Sequence, residues 1–201
     1  MKKAAVTIGL VLVVLAAIVV FKTYPVRSAS AVAQVNNRAA ESLESKIQAI
    51  KKAETDTKNR PPSKVEISEA ELESYVMVYL RKDIPVDINS VRVQLTPGVI
   101  ATDAKLTIPN GSTGNPLVDA LVNGTHNIHI GGKLTAARGE GKFDLQSVTV
   151  DGIPVPNILI DTLIQKYAKP KYPEVDLKEP FELPWGIEAI DIGLHKATVT
   201  Y

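Results

Sequence analysis

From Val91 to Val150 apolar residues return at every second position over two long stretches, and this period constrains the chain more than any other feature. Val91, Val93 and Leu95 alternate with Arg92 and Gln94. After the turn-forming Thr96-Pro97-Gly98, Ile100, Ala104, Leu106 and Ile108 share one face, with Asp103 and Lys105 on the other. Ile128, Ile130 and Leu134 repeat the pattern up to Ala136, Gly139-Glu140-Gly141 reverses the chain, and Phe143 and Leu145 return in register. Successive strand side chains point to opposite faces, so each hairpin has one apolar face and one solvated face. Val148 and Val150 lie one residue out of step with Phe143 and Leu145. That slip predicts a β-bulge near Gln146-Ser147 and, with it, a curved sheet.

An apolar face needs cover, and two segments have helical period. Val65-Glu66-Ile67 reads as a short strand; Ser68 and Glu71 then have capping-box spacing. The helix they start carries Leu72, Val76 and Tyr79, broadened by Tyr75 and Leu80, and ends near Lys82, before Pro85. Asp151-Gly152 turns the chain and Pro156 suits the first position of a second helix. Between Asn157 and Ala168 the polar residues Asn157, Asp161 and Gln165 form one thin stripe; Ile158, Leu159, Ile160, Leu163, Ile164 and Tyr167 fill the rest. Pro109 to Pro116 reads as a loop, and Leu117 to Val122 as a short strand or a helical turn. Tyr167 to Leu183 is rich in Lys and Pro and reads as extended surface chain. After Pro184-Trp185-Gly186, a last strand carries Ile190, Ile192 and Leu194 in alternation, then Val199 and Tyr201 after a shift near Lys196.

The N-terminal third is different. Ala4 to Phe21 is free of charge; as a helix at ~1.5 Å per residue it spans roughly 27 Å, close to a bilayer's hydrocarbon thickness. Residues 1–24 read as a transmembrane anchor, with Lys2 and Lys3 before it and Lys22 and Tyr24 at the interface. A cleaved signal peptide is the competing reading, with Ala29-Ser30-Ala31 as cleavage pattern. The run exceeds the usual signal core, and the cut lies ten residues beyond Phe21. Either way the rest of the chain is expected outside the cytoplasm; with the anchor retained, the topology is single-pass from the inner membrane. A helical stalk is expected over 25–55, capped at Ser28 or Ser30, with Val32, Val35, Ala39, Leu43, Ile47 and Ile50 in a narrow stripe. That stripe fits a self-association seam through 28–55, a seat on the domain, or a solvated spacer. A linker with Pro61-Pro62 over 56–64 separates it from a domain at 65–201.

Charge and composition exclude several functions. Thr23 to Pro62 holds 7 basic and 4 acidic residues, Ser63 to Tyr201 13 and 18. The domain is thus acidic and lacks the basic footprint of a nucleic-acid binder. With no Cys there is no thiolate nucleophile or thiolate metal site. His126 and His129 are three apart on a strand, so they face opposite ways, and His195 stands beside Lys196; all three read as surface histidines. Glu69, Glu71 and Glu73 open a helix, where carboxylates complement the dipole. Asn110-Gly111-Ser112-Thr113-Gly114 and Gly139-Glu140-Gly141-Lys142 lack phosphate-loop spacing, and there is no G-x-S-x-G elbow. No catalytic residue, metal or cofactor is expected.

What remains is an aliphatic interior with only 5% aromatic residues. It makes either a filled core or a groove able to hold lipid tails. The wall of such a groove would comprise Leu72, Val76, Tyr79, Ile100, Leu106, Ile130, Leu134, Ile160, Leu163, Ile164 and Trp185. The order of anchor, VEISEAELESYVMVYL, long hairpins, LQSVTVDGIPVPNILIDTLIQKY and LPWGIEAIDIGLHKATVTY resembles that of bacterial tubular lipid-binding (TULIP-like) envelope proteins. The resemblance covers Ser63 to Tyr201 and rests on common residue types. It implies an α+β fold, a long curved antiparallel sheet wrapped around one or two helices, preceded by the transmembrane helix and stalk. It also implies a groove for phospholipid or another lipid and no catalysis. The expected function is a membrane-anchored extracytoplasmic protein that holds or transfers acyl chains. The rival is a non-catalytic structural or scaffold protein of the envelope, and an envelope hydrolase comes last for want of a nucleophile–base pair.

Overall fold

Alternation becomes a single mixed-length antiparallel sheet in the computed structural model, which describes residues 36–55, 61–81, 87–108, 124–163 and 179–201. Two hairpins form its body: β2 (Asp87–Thr96) with β3 (Val99–Ile108), and β4 (Gly124–Ala137) with β5 (Glu140–Val150). β3 also pairs with β4, from Val99↔Lys133 to Ile108↔Gly124. The turns follow from their residues. Pro97-Gly98 joins β2 to β3 with Gly98 at φ 73, a proline-then-glycine arrangement suited to a tight turn. Arg138-Gly139 joins β4 to β5 with both φ values positive, 58 and 79, the backbone that matches the twist of a two-residue hairpin.

The bulge lies where the alternation slips. Gly131 pairs with Ser147 and Gly132 with Leu145, so Gln146 is the extra residue on β5. Opposite it, a Cβ on Gly132 would come within 2.3 Å of the Phe143 ring, and one on Gly131 within 2.7 Å of Ser147 Oγ. The two glycines thus allow β5 to press closely on β4 at the point where the bulge bends it.

The rest of the sheet extends along the same side of β4, past the end of β3. β1 (Lys64–Ser68) pairs with β9 (Lys196–Thr200), β9 with β8 (Ala189–Ile192), and β8 with β4 through Ala136↔Ile190. The turn of the first hairpin is stitched in between: Gly98 N–H donates to Ile192 O, and Leu134 N–H to Gly98 O. The expected single last strand is therefore a β8–β9 hairpin. The apparent shift near Lys196 is its turn, Gly193 to His195, with His195 at φ 61 and Leu194 exposed. Two short strands edge β5: β6 (Ile153–Pro154) and β7 (Phe181–Glu182).

Among the described residues three helices accompany the sheet. α1 (Asn37–Thr55) begins after Asn36, whose side chain accepts from Ala39 N–H, and so starts later than a Ser28 or Ser30 cap would place it. α2 (Glu69–Tyr75) has the expected capping box, Ser68 and Glu71 each bonding the other's backbone. It does not run on regularly: Val76–Leu80 widens into a π-helical turn with Val76 and Leu80 buried. α3 (Asn157–Leu163) follows Pro156 and buries Ile160. Among the described residues no helix is long and apolar enough to cross a membrane. The anchor expected over 1–24, the loop expected over 109–116, the strand or helical turn expected over 117–122, and the helix and extended chain expected over 164–178 lie outside the described residues.

The stripe of α1 packs on the domain, the second of its three expected uses. Ala40, Leu43 and Ile50 are buried, and Leu43 and Ile50 share a cluster with Ile67, Ala136, Leu183, Ile187 and Val199. A larger cluster fills the apolar face of the two hairpins. It includes Ile88, Val91, Leu95, Leu106, Ile128, Ile130, Val148 and Val150, covered by Val76, Leu80 and Ile160.

Candidate functional site

The larger cluster is where the expected wall stands. Val76, Leu106, Ile130 and Ile160 are buried in it, and Leu72, Ile100 and Leu134 pack half-buried against it. Seven of the eleven expected positions therefore meet on one surface. Two do not. Tyr79 points to the outside, 37% exposed, because the π-helical turn rotates it off the face that Val76 and Leu80 share; its ring instead lies 5.1 Å from that of Tyr75. Trp185 belongs to the smaller cluster, where the Lys51 ammonium sits 4.6 Å from its ring centroid. Leu163 ends α3, and Ile164 lies outside the described residues.

The surface includes Tyr75, Met77, Leu145, Val155 and Ile190, also half-buried, so its rim is mainly aliphatic with one thioether and one phenol ring. Its floor is dry and dense: Ile88, Leu95, Leu106, Ile128, Val91 and Val150 are all under 2% exposed. Leu72, Tyr75, Leu134 and Ile190 touch both clusters and join them.

The acidic helix start does more than complement a dipole. β2 is an edge strand, and edge N–H groups invite unwanted pairing. Here Glu73 Oε1 accepts from Val93 N–H at 2.8 Å and Glu69 Oε1 from Leu95 N–H at 2.6 Å. On the same strand Leu95 O accepts from His195 N–H, and the His195 ring lies 3.1 Å from Glu69 Oε2. Burial pushes the Glu73 carboxyl above its usual range, against the pull of the Val93 N–H and Arg92.

Glu71 ties α1 to α2. Its Oε1 accepts from Lys46 Nζ and Ser42 Oγ, both at 2.6 Å, and its Oε2 from Ser68 N–H and Oγ. Burial alone would raise its pKa, but the bonds from Lys46, Ser42 and Ser68 together outweigh it and hold the carboxyl at about 2. One helical turn on, the Tyr75 hydroxyl donates to Glu44 Oε2 at 3.0 Å. Burial and then that carboxylate push the phenol up to about 12. Neither the Lys46–Glu71 nor the Tyr75–Glu44 pair was legible from spacing, since the partners lie 25 and 31 residues apart and belong to no motif.

The histidines all have carboxylate partners, and one is not a surface residue. His126 Nδ1 lies 2.9 Å from Asp151 Oδ2 with both side chains mostly buried, and Asp151 Oδ1 also accepts from Asn127 N–H. His129 pairs with Asp103 across β3 and β4 at 2.8 Å. These pairs connect neighbouring strands and turns. Among the described residues no group of three or more His, Asp and Glu is arranged to hold a metal ion.

A shallow, open hollow of about 600 Å³ lies at the far end of the β4–β5 hairpin. Arg138, Gly139, Leu183, Gly186, Ile187, Glu188 and Ala189 line it. No family model matches the chain, and no curated protein matches its sequence.

Proposed function

We propose that the protein is a membrane-anchored, extracytoplasmic lipid-binding protein of the tubular lipid-binding kind. It holds or transfers acyl chains along the aliphatic face of its curved sheet, with residues 1–24 in the inner membrane. The observation that supports this reading is the rim of the larger cluster. Leu72, Met77, Ile100, Leu134, Leu145 and Val155 remain half-buried beside a fully dry floor. An acyl chain laid along them would remove their exposed area from water, at about 0.8 kcal/mol for each of its own methylenes buried.

A second reading has its own support. The floor residues are packed to under 2% exposure, as in a filled core. A structural protein of the envelope would need nothing more. In the described part of α1, Ala40, Leu43 and Ile50 are buried against the same chain.

The test is organic extraction and mass spectrometry of the chain from Asn36 onward, purified without detergent. Stoichiometric lipid, lost on Leu134→Glu in protein that stays folded by circular dichroism, is the expected result. Lipid-free wild-type protein would remove the lipid reading and leave the structural one.

A further inference from the structure

The hollow at the end of the β4–β5 hairpin is built from two tight turns that face each other. Arg138-Gly139 and Trp185-Gly186 each place a non-glycine residue in the left-handed region, at φ 58 and φ 55, followed by a glycine at φ 79 and φ 69. Such backbone is uncommon for an arginine or a tryptophan, and it persists only where the surroundings impose it. The surroundings here are backbone bonds that lace the two turns together. Gly139 N–H donates to Glu188 O at 2.9 Å and Leu183 N–H to Gly139 O at 2.7 Å, while Ile187 N–H to Pro184 O at 3.1 Å closes the second turn on itself. A Cβ added at Gly139 or Gly186 would meet nothing within 4 Å, so the space above both turns is open.

Two opposite charges stand on this rim. Arg138 and Glu188 both line the hollow and both are exposed, and among the described residues neither side chain has a hydrogen-bond or ion-pair partner. Several other charges that face one another across elements are paired, among them Lys46–Glu71, Lys196–Glu66 and the three histidines with their carboxylates. Beneath them the floor is apolar, with Leu183 and Ile187 buried in the smaller cluster.

We propose that this hollow binds a zwitterion, an anionic group on Arg138 and an ammonium on Glu188, with the short link between them over Leu183 and Ile187. A guanidinium offers a planar fork of donors that suits a phosphate or carboxylate, and a carboxylate accepts from an ammonium. Two sources carry this chemistry: the headgroup of an aminophospholipid, a phosphodiester linked to an ammonium, and a free amino acid. The choice of the phosphodiester as the natural anion rests on the lipid reading above; the zwitterion site itself does not.

The experiment is calorimetric titration of the full chain in an uncharged detergent. The probes are glycerophosphoethanolamine, alanine, glycerol 3-phosphate (anion alone) and ethanolamine (cation alone). The proposal expects one of the two zwitterions to bind about tenfold or more tightly than either half, and the tighter of them identifies the source. Arg138→Asn and Glu188→Gln should each weaken that zwitterion by about tenfold. Asn tolerates the left-handed backbone at position 138, so the first variant keeps the turn. Equal binding of zwitterion and halves, no binding at millimolar concentration, or unchanged affinity in both folded variants overturns the proposal. Lipid-free protein that still binds glycerophosphoethanolamine would remove the acyl wall and keep the hollow; lipid-loaded protein that binds neither zwitterion would do the reverse.

Discussion

The two apolar clusters are built on different principles. The larger, under the β2–β5 hairpins, is almost wholly aliphatic and held by strand alternation, interrupted near Asn89 in β2 and at Gln146 in β5. The smaller, where α1 rests on β1, β9 and the segment before β8, has fewer buried residues and is fastened by polar pins: Lys46 and Ser42 on Glu71, Glu44 on Tyr75, Lys51 on Trp185. Burial of apolar area gives the first its stability. The second depends on a few directional contacts, each of which a single substitution removes. The comparison teaches that α1 is an appended element, docked on a sheet that has its own core.

The largest effect should come from Leu106→Ala, which opens a void in a position with 0% exposure. A loss of about 2–5 kcal/mol is expected in urea denaturation. Leu43→Ala removes similar area from the smaller cluster, so hydrogen exchange separates the two. Protection should fall across β2–β5 in the first variant and in α1 alone in the second. Equal loss in every strand on Leu43→Ala would make the two clusters one cooperative unit and break the comparison.

Gly132→Ala should cost about 1–3 kcal/mol, because the new methyl meets both the Phe143 ring and Asp144 O. A neutral result would show that Phe143 can swing away and that the bulge does not depend on the glycine pair.

Glu71→Gln should cost about 1–3 kcal/mol, since the Lys46 ammonium loses its charged partner. The same group predicts a pH dependence. Its folded pKa of about 2 lies below the ordinary carboxyl value of 4.5, so the charged form stabilises the fold. That contribution is complete above about pH 4.5 and is lost as pH falls towards 2. Acid titration of wild type should show this loss first in α1, and Glu71→Gln should flatten it. An unaltered acid limb in the variant would assign the effect to other carboxylates.

The smallest effect, about 0.5–1 kcal/mol, is expected for Lys51→Met, which removes a cation from the Trp185 ring and keeps the aliphatic stem. Quenching of the single tryptophan's fluorescence by acrylamide, which is uncharged, should rise slightly as the ammonium leaves the ring face.

Much of the large cluster was legible because strand geometry is a local rule. Val91, Val93, Leu95, Ala104, Leu106, Ile128 and Ile130 are buried where their parity puts them, and a one-residue slip between Leu145 and Val148 marked the bulge. The capping box was legible for the same reason, as a matter of spacing within one turn of chain. Tyr79 was misplaced because helical period assumes 3.6 residues per turn, and a π-helical turn breaks that assumption without a signal in residue type. The β8–β9 hairpin was missed because Gly193-Leu194-His195-Lys196 carries one glycine and no proline or asparagine. The positive φ at its end falls on a histidine.

By itself, then, the sequence determined an antiparallel sheet with one apolar face, the bulge in β5, and the starts of α2 and α3, because each follows from patterns within a few residues. Only the tertiary structure decided that the α1 stripe is occupied by its own domain, that Glu69 and Glu73 close the edge of β2, and that Arg138 and Glu188 share a hollow. Val93 and Glu73 are separated by 20 residues of chain, Arg138 and Glu188 by 50, and the α1 stripe lies farther still from Val199; no local pattern encodes which distant partner a side chain will meet. The physical reason is that burial is specified by residue type and period, whereas pairing is specified by where the completed sheet brings its ends together.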